Sequence, residues 1–289
     1  MTLMPSVSGQ PMDPGLLSRA LEIAGRLAGD AADVIIAKAG RGARPAARDS
    51  PFDWVTDTHR TLERHTRRVL AEHFPDIPLF GADAGPTPAP AVDLGARSGP
   101  VSLRWLVSAV DGNANFVAGV PWCAYSLAML DATGPLVGAV ADPFRGQVYA
   151  GARGRGMRAN GTPVTLGGGR TSTAGAVVCT ELTRTGLWPG MVEFTRLAAQ
   201  AHAGVRVLGC SALAITQVAL GQVSAAVLHG CPERDVAGAL ALAGEAGAVI
   251  SWPASADDRT GGPLGPDVLL VAAPGVAAEV SEWWRCATL

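Results

Sequence analysis

A mixed α/β fold of stacked helices and sheets is the architecture this sequence predicts, and three observations predict it. Residues 16–74 contain two stretches with apolar side chains at helical spacing. Residues 103–152 break into short apolar runs divided by turn-forming residues. Beyond residue 176, strand-like and helix-like stretches alternate. Elements of both kinds, each apolar on one side, bury those sides by layering helices on sheets.

Residues 1–13 carry Pro and Gly without periodicity and are expected to form a flexible arm. Leu17, Leu21, Ala24, Leu27, Val34 and Ile35 recur at a helical period, so residues 16–39 read as an amphipathic helix. Gly, Pro, Ala and Arg crowd residues 40–50, which read as a mobile loop. A second helix is expected over 58–74, with Leu62, Val69 and Leu70 inward and Pro75-Asp76 at its end. A short strand follows at 77–80, then a Pro/Gly/Ala-rich surface loop over 84–100. Strands are expected at 103–107, 124–130, 134–141 and 147–152, and Asn160-Gly161 favours a hairpin turn. After a Gly/Ser/Thr stretch at 167–175, strands are expected at 176–180, 205–208, 225–228 and 268–272. The intervening helices are expected at 191–203, 211–220, 236–246 and 275–286. The chain then divides into an N-terminal α+β part, 14–170, and a C-terminal α/β part, 171–289.

Composition narrows the function classes. With 289 residues, 48% hydrophobic and 17% charged, the chain is long and apolar enough for a sizeable core and too apolar for disorder. A formal net charge of -2 gives no broad attraction to nucleic acid or an anionic membrane. No apolar run reaches the roughly 18 residues of a membrane helix. The stretch through Gly15 has neither the basic nor the apolar part of a secretory leader. The five cysteines, Cys123, Cys179, Cys210, Cys231 and Cys286, are scattered and form no C-x-x-C pair. That spacing speaks against a disulfide framework or a zinc site and for a reducing, cytoplasmic setting.

Residues 105–116 read Trp-Leu-Val-Ser-Ala-Val-Asp-Gly-Asn-Ala-Asn-Phe. This resembles the metal-binding signature of the inositol monophosphatase family, W-hydrophobic-hydrophobic-D-P-hydrophobic-D-G-T-x-N-F. Asp111, Gly112, Asn115 and Phe116 match it; Ser108 stands at the first ligand Asp, Ala109 at the Pro and Asn113 at the Thr. Asp53-Trp54-Val55-Thr56 resembles the family's D-x-V-T, with His59 where an acid follows. Phe80-Gly81-Ala82-Asp83 sits where the family has hydrophobic-G-E-E, so Ala82 replaces a ligand Glu. Arg234-Asp235-Val236-Ala237-Gly238 resembles W-D-x-A-G and keeps the metal-binding Asp235. Gly209-Cys210-Ser211-Ala212 resembles the G-[ST]-A-A run beside the substrate. Leu228 stands where some members contact inositol with a Glu. The resemblance runs from about Pro14 to the C-terminus. It implies a layered α-β-α-β-α sandwich, a homodimer, and Mg²⁺-dependent hydrolysis of a phosphomonoester. It also implies that backbone N–H groups after Asp111 hold the phosphate.

Two acids of the pattern, at Ser108 and Ala82, are absent, so a bridged metal pair is not expected. The leading expectation is a repurposed enzyme that needs no cofactor. In it, His59 with Asp111 or Asp235 performs acid–base chemistry on a small molecule, such as a cyclisation, isomerisation or elimination. The alternative is a Mg²⁺-dependent phosphomonoesterase acting on a sugar or inositol phosphate, the ion held by Asp111 and Asp235. A third reading is a non-catalytic binding or partner protein. Candidate substrate-binding residues are Asp83, Ser108, Gly112, Asn113, Gly209, Cys210, Ser211, Leu228, His229, Cys231 and Arg234. Asp83 reaches the site only if the backbone shifts by one residue; otherwise it is a solvated loop acid. Cys231 reads as pocket lining, and Cys210 as a small buried residue at a helix start. Arg234 pairs with Asp235 or an anionic ligand, or is a surface arginine.

Overall fold

The computed structural model describes residues 13–41, 46–47, 54–82, 103–167, 170–183, 185–251 and 268–288. The expected loop at 84–100 and nearly all of the expected arm lie outside these residues. Helix α1, Pro14–Lys38, starts where the Asp13 side chain accepts a hydrogen bond from the Gly15 amide. Its face of Leu17, Ala20, Ile23, Ala24, Leu27, Ala31 and Ile35 is buried, as the helical spacing requires. Part of the expected loop at 40–50 pairs instead: β1, Ala46–Ala47, runs antiparallel to β2, Trp54–Val55. Helix α2, Asp57–His73, is capped by Thr56, whose hydroxyl accepts from the His59 amide at 3.2 Å.

A seven-stranded sheet follows. Its strands are β3, Leu79–Phe80, and β4, Arg104–Asp111; after the short helix α3, Asn113–Ala118, come β5, Ala124–Asp131, β6, Gly134–Asp142, β7, Gln147–Ala152, β8, Met157–Ala159, and β9, Thr162–Val164. They lie side by side in chain order, β3 parallel to β4 and the rest antiparallel. The Asn160-Gly161 hairpin joins β8 to β9, with φ of 44° and 84° at the two turn residues.

The second sheet has five strands. Its elements in chain order are β10, Val177–Thr180, α4, Met191–Gln200, β11, Gly204–Val207, α5, Ser211–Ala219, β12, Ala225–His229, α6, Glu233–Ala246, β13, Val249–Ser251, β14, Val268–Ala272, and α7, Ala277–Thr288. The spatial order is β11-β10-β12-β14-β13, with the first three parallel. Strand β13 and helix α3 are too short to show a period in the sequence.

Helix packing gives five layers. Helices α1 and α2 cover one face of the large sheet, α5 and α6 lie between the sheets, and α4 with α7 cover the far face of the small one. Each interface has its own apolar core, typified by Leu27 with Trp105, Leu213 with Leu242, and Phe194 with Trp283. Burying a side chain of this size contributes about 1.5–3 kcal/mol. Helix α6 seats closely on the large sheet because both contact points are glycine. A Cβ on Gly138 would lie 2.2 Å from the Gly238 carbonyl oxygen, and one on Gly238 would lie 2.5 Å from the Ser126 hydroxyl. That close approach fixes the first turn of α6, which carries Asp235. No helix among the described residues is long and apolar enough to cross a membrane.

Candidate active site

A cavity of about 430 Å³ opens where the C-terminal end of β4 meets the C-terminal ends of β10, β11 and β12. Parallel α/β sheets place ligands at such strand ends. Asp111 is the last residue of β4, which shifts register against β5 between Ser108 and Asp111. Gly112 then turns the chain with φ of 82°, and a Cβ there would lie 2.9 Å from the Trp122 carbonyl oxygen. Only glycine accepts both the left-handed backbone and the crowding.

The Asp111 carboxylate is held from behind. Its Oδ2 accepts from the Ala212 amide at 2.7 Å and from the Cys210 thiol at 3.2 Å. Asn115 braces the same corner by donating to the carbonyls of Leu208, at 2.6 Å, and Trp122, at 2.8 Å. Asp235 enters from α6, with the Arg234 Nε 3.6 Å from its Oδ1. Burial first, and the nearby Asp235 charge second, push the Asp111 carboxyl up to about 7. Glu181, just after β10, is also pushed up to about 7 by burial, although backbone amides of residues 208–210 oppose the shift. Its Oε2 accepts from the Gly209 amide at 2.6 Å, while its Oε1 has no hydrogen-bond partner.

A second wall comes from the start of α2 and the end of β3. His59 is buried, and neither ring nitrogen has a hydrogen-bond partner. Its Nε2 lies 3.6 Å from Glu63 Oε2. Glu63 in turn pairs with Arg67 at 3.2 Å and accepts from the Ala82 amide at 2.9 Å.

Of the residues singled out from sequence, His59, Ser108, Asp111, Gly112, Asn113, Gly209, Ser211, His229, Cys231, Arg234 and Asp235 line this one cavity. Cys210 and Leu228 are buried; Cys210 meets the site through Asp111, and Leu228 packs in the core between the sheets. Asp83 lies outside the described residues. Sequence reading missed Glu63 and Glu181. The signal for Glu181 is its place, an acid directly after an expected strand of the α/β part; Glu63 carries no signal beyond standing one helical turn after His59.

Among the described residues, no three His, Cys, Asp and Glu side chains cluster tightly enough to hold an ion by themselves. Asp111 and Asp235 nevertheless fit a hydrated Mg²⁺. They are two carboxylates on one cavity, the charge of Asp235 helping to push the Asp111 carboxyl up, and Mg²⁺ is commonly held by one or two carboxylates together with substrate phosphate.

A five-layer sandwich with an acid-lined cleft at the strand ends defines the class of phosphate-ester enzymes that the sequence motifs point to. The chain belongs to the inositol monophosphatase family, matching it over residues 16–284. It is 33% identical over 280 residues to the inositol-1-monophosphatase of Mycobacterium bovis, covering 90% of this chain and 89% of that one. In fold it is similar to the Thermotoga maritima IMPase, with a TM-score of 0.78 and 19% identity over 93% of this chain and 98% of that chain. It is also similar to an IMPase/NADP phosphatase solved with Mg²⁺ and phosphate, with a TM-score of 0.74 and 17% identity over 93% and 95% of the two chains.

These likenesses correct two expectations. The leading one, metal-independent acid–base chemistry on a repurposed scaffold, is overturned by membership in a phosphatase family and by relatives named for phosphatase activity. The expectation of no cofactor falls with it, because a phosphatase on the same fold was solved complexed with Mg²⁺ and phosphate. The physical reason lies in the site. Counting the acids missing at Ser108 and Ala82 overlooked how the remaining pair is arranged, with Asp111 backed by two donors and Asp235 close enough to repel it.

Proposed function

We propose that this protein is a Mg²⁺-dependent phosphomonoesterase acting on a small sugar or inositol phosphate. The observation that carries the reading is the facing pair Asp111 and Asp235, a concentration of negative charge at one end of a cavity sized for a small ester. Asp111 and Asp235 would hold the ion. When bound, Mg²⁺ neutralises phosphoryl oxygens and lowers the pKa of a coordinated water. The protein's own part is positioning, which together with charge stabilisation carries phosphoryl transfer. The Ala212 amide and the Cys210 thiol fix one oxygen of Asp111 and leave the other unengaged by them. The first amides of α3, after Gly112, have no partner within the helix and suit phosphate oxygens. Arg234 adds a positive charge at the rim.

The test is release of inorganic phosphate from inositol 1-phosphate and from a sugar phosphate, with Mg²⁺ and after chelation. A calorimetric Mg²⁺ titration with phosphate present accompanies it. Release that stops on chelation and returns with Mg²⁺ is expected. No release with Mg²⁺, together with no heat of Mg²⁺ binding, overturns the reading in favour of a binding protein. The same reading carries a cytoplasmic homodimer. Light scattering that reports a 29.5 kDa particle counts against the dimer.

A further inference from the structure

Glu181 is the buried acid in the cleft that the phosphatase reading leaves without a role. It stands directly after β10 and is 5% exposed, yet it lines the cavity. One carboxyl oxygen is occupied by the Gly209 amide, and the other, Oε1, has no partner. Buried polar atoms without a partner are rare in folded proteins, and leaving an acceptor bare is unfavourable. A ligand donor entering the cavity relieves that penalty.

The neighbours on this side leave the Glu181 oxygen as the open acceptor. Leu182 and Val207 are apolar, and 52% and 46% exposed. The Thr183 hydroxyl is already engaged by the Gly186 carbonyl at 3.0 Å. The His229 ring lies parallel to Trp188, 6.2 Å between centroids. Asp111 and Glu181 line the same cavity, within reach of one ligand.

We propose that Glu181 recognises the alcohol half of the substrate through a hydrogen bond to a hydroxyl carried near the ester oxygen. The proposal rests on the phosphomonoesterase reading for the placement of the phosphate beside Asp111. A hydroxyl suits this position better than an ammonium group. Burial pushes the Glu181 carboxyl up, which weakens the negative charge an ammonium group would pair with. A hydroxyl donates to the bare oxygen without needing that charge.

Glu181 also clamps the Gly209 turn, so replacing it disturbs every ligand to some extent. The informative quantity is therefore a ratio of affinities. Calorimetry with Mg²⁺ present compares 3-hydroxypropylphosphonate with propylphosphonate, which share the phosphonate and the chain and differ in the hydroxyl. The hydroxylated ligand is expected to bind the wild type about 10- to 100-fold tighter, the worth of a hydrogen bond to a buried acid. In Glu181→Met the ratio collapses to about one while both ligands lose some affinity. Glu181→Gln keeps an oxygen for the Gly209 amide, and its ratio falls about fivefold or more because a charged or acidic partner is lost. A wild-type ratio near one overturns the proposal, as does a ratio unchanged in Glu181→Gln, should the Met variant not fold. Tighter binding of 3-aminopropylphosphonate than of the hydroxyl ligand overturns the choice of hydroxyl. Hydrolysis of 2-hydroxyethyl phosphate with Mg²⁺ is followed in parallel. Its absence beside an intact binding preference defeats the phosphatase reading and leaves the Glu181 contact standing.

Discussion

Asp111 and His59 line the same cavity from different elements, and the acids of those two walls are satisfied in different ways. On the Asp111 wall, Asp111 and Glu181 lean on backbone amides and a thiol, with Asp235 beside them and Arg234 at 3.6 Å from Asp235. On the His59 wall, Glu63 is engaged by Arg67, by the Ala82 amide and by the nearby imidazole. One wall holds negative charge that a ligand cation can answer; the other has answered its own charge from within the protein. Two of the departures from the family signature, Ala82 and His59, lie on the wall that is self-paired.

The contrast is broken most directly by removing charge from the Asp111 wall. Asp111→Asn or Asp235→Asn is expected to lower Mg²⁺-dependent kcat/KM by about 100-fold or more, since altering groups merely behind a metal ligand already costs about 10- to 100-fold. His59→Ala and Glu63→Gln on the other wall are expected to cost less than either. Phosphate-release kinetics read this directly, with circular dichroism to show that each variant folds. If the His59-wall variants lose as much as the Asp variants, the asymmetry is wrong.

The next effect comes from the backbone. Gly112→Ala places a side chain at φ of 82° and 2.9 Å from a carbonyl oxygen, whereas Gly81→Ala at an unstrained position meets the Glu63 carboxylate at 2.3 Å. The first variant has nowhere to relax and is expected to destabilise the protein by about 2 kcal/mol and to damage turnover together with stability. The second displaces a side chain and is expected to disturb the His59 wall with a smaller loss of activity. Urea unfolding and phosphate release on the same preparations compare the two. Equal activity losses would merge the two walls into one functional unit.

Much of this molecule was legible in the sequence, and the reasons differ by element. Helices α1 and α2 announce themselves through apolar spacing, and strands β7 and β14 through short apolar runs with turn residues on both sides, so their limits fall within a residue or two of expectation. Helix α6 begins before its expected start, at Glu233 and not Val236, because its first turn is polar and faces the cleft. The site was legible as a set of residues, since the motifs bring Asp111, Gly112, Ser211 and Asp235 to one cavity. What the motifs did not convey is how charge is balanced. Glu181 reaches the cleft, and Glu63 backs it behind His59 and Ala82, by tertiary packing, and a count of acids along the chain cannot see them.

Stability against pH sharpens the comparison. Asp111 and Glu181 are raised from 3.8 and 4.5 to about 7, so the native state keeps protons that the unfolded chain releases. Their stabilisation is therefore present at low pH and is lost as the pH rises through about 7. Chelator-treated protein is expected to melt a few degrees lower at about pH 8 than at about pH 6, at a scale of about 2–4 °C per kcal/mol for a chain of this size. Mg²⁺ held by ionised Asp111 together with Asp235 would reverse the trend, stabilising more as the pH rises. Thermal melts across pH with and without Mg²⁺ check both signs. A melting temperature that rises with pH in chelator would mean that these acids are not held above their ordinary values.

The smallest effect is an addition to the stronger wall. Ser108 is 2% exposed on β4, the strand that ends at Asp111, and it lines the same cavity. Ser108→Asp places a further carboxylate there. Without metal the new charge adds to burial and to the repulsion around Asp111, so the chelated variant should melt below the wild type. With metal the same charge becomes attractive, and Mg²⁺ affinity is expected to rise by about three- to tenfold, a modest gain because desolvating the new carboxylate offsets much of it. Calorimetry gives the affinity, and paired melts with and without Mg²⁺ give the two signs. A fold-intact variant that binds Mg²⁺ no more tightly than the wild type would show that position 108 does not look onto the ion. The cation would then sit closer to the α6 end of the cleft, held chiefly by Asp235.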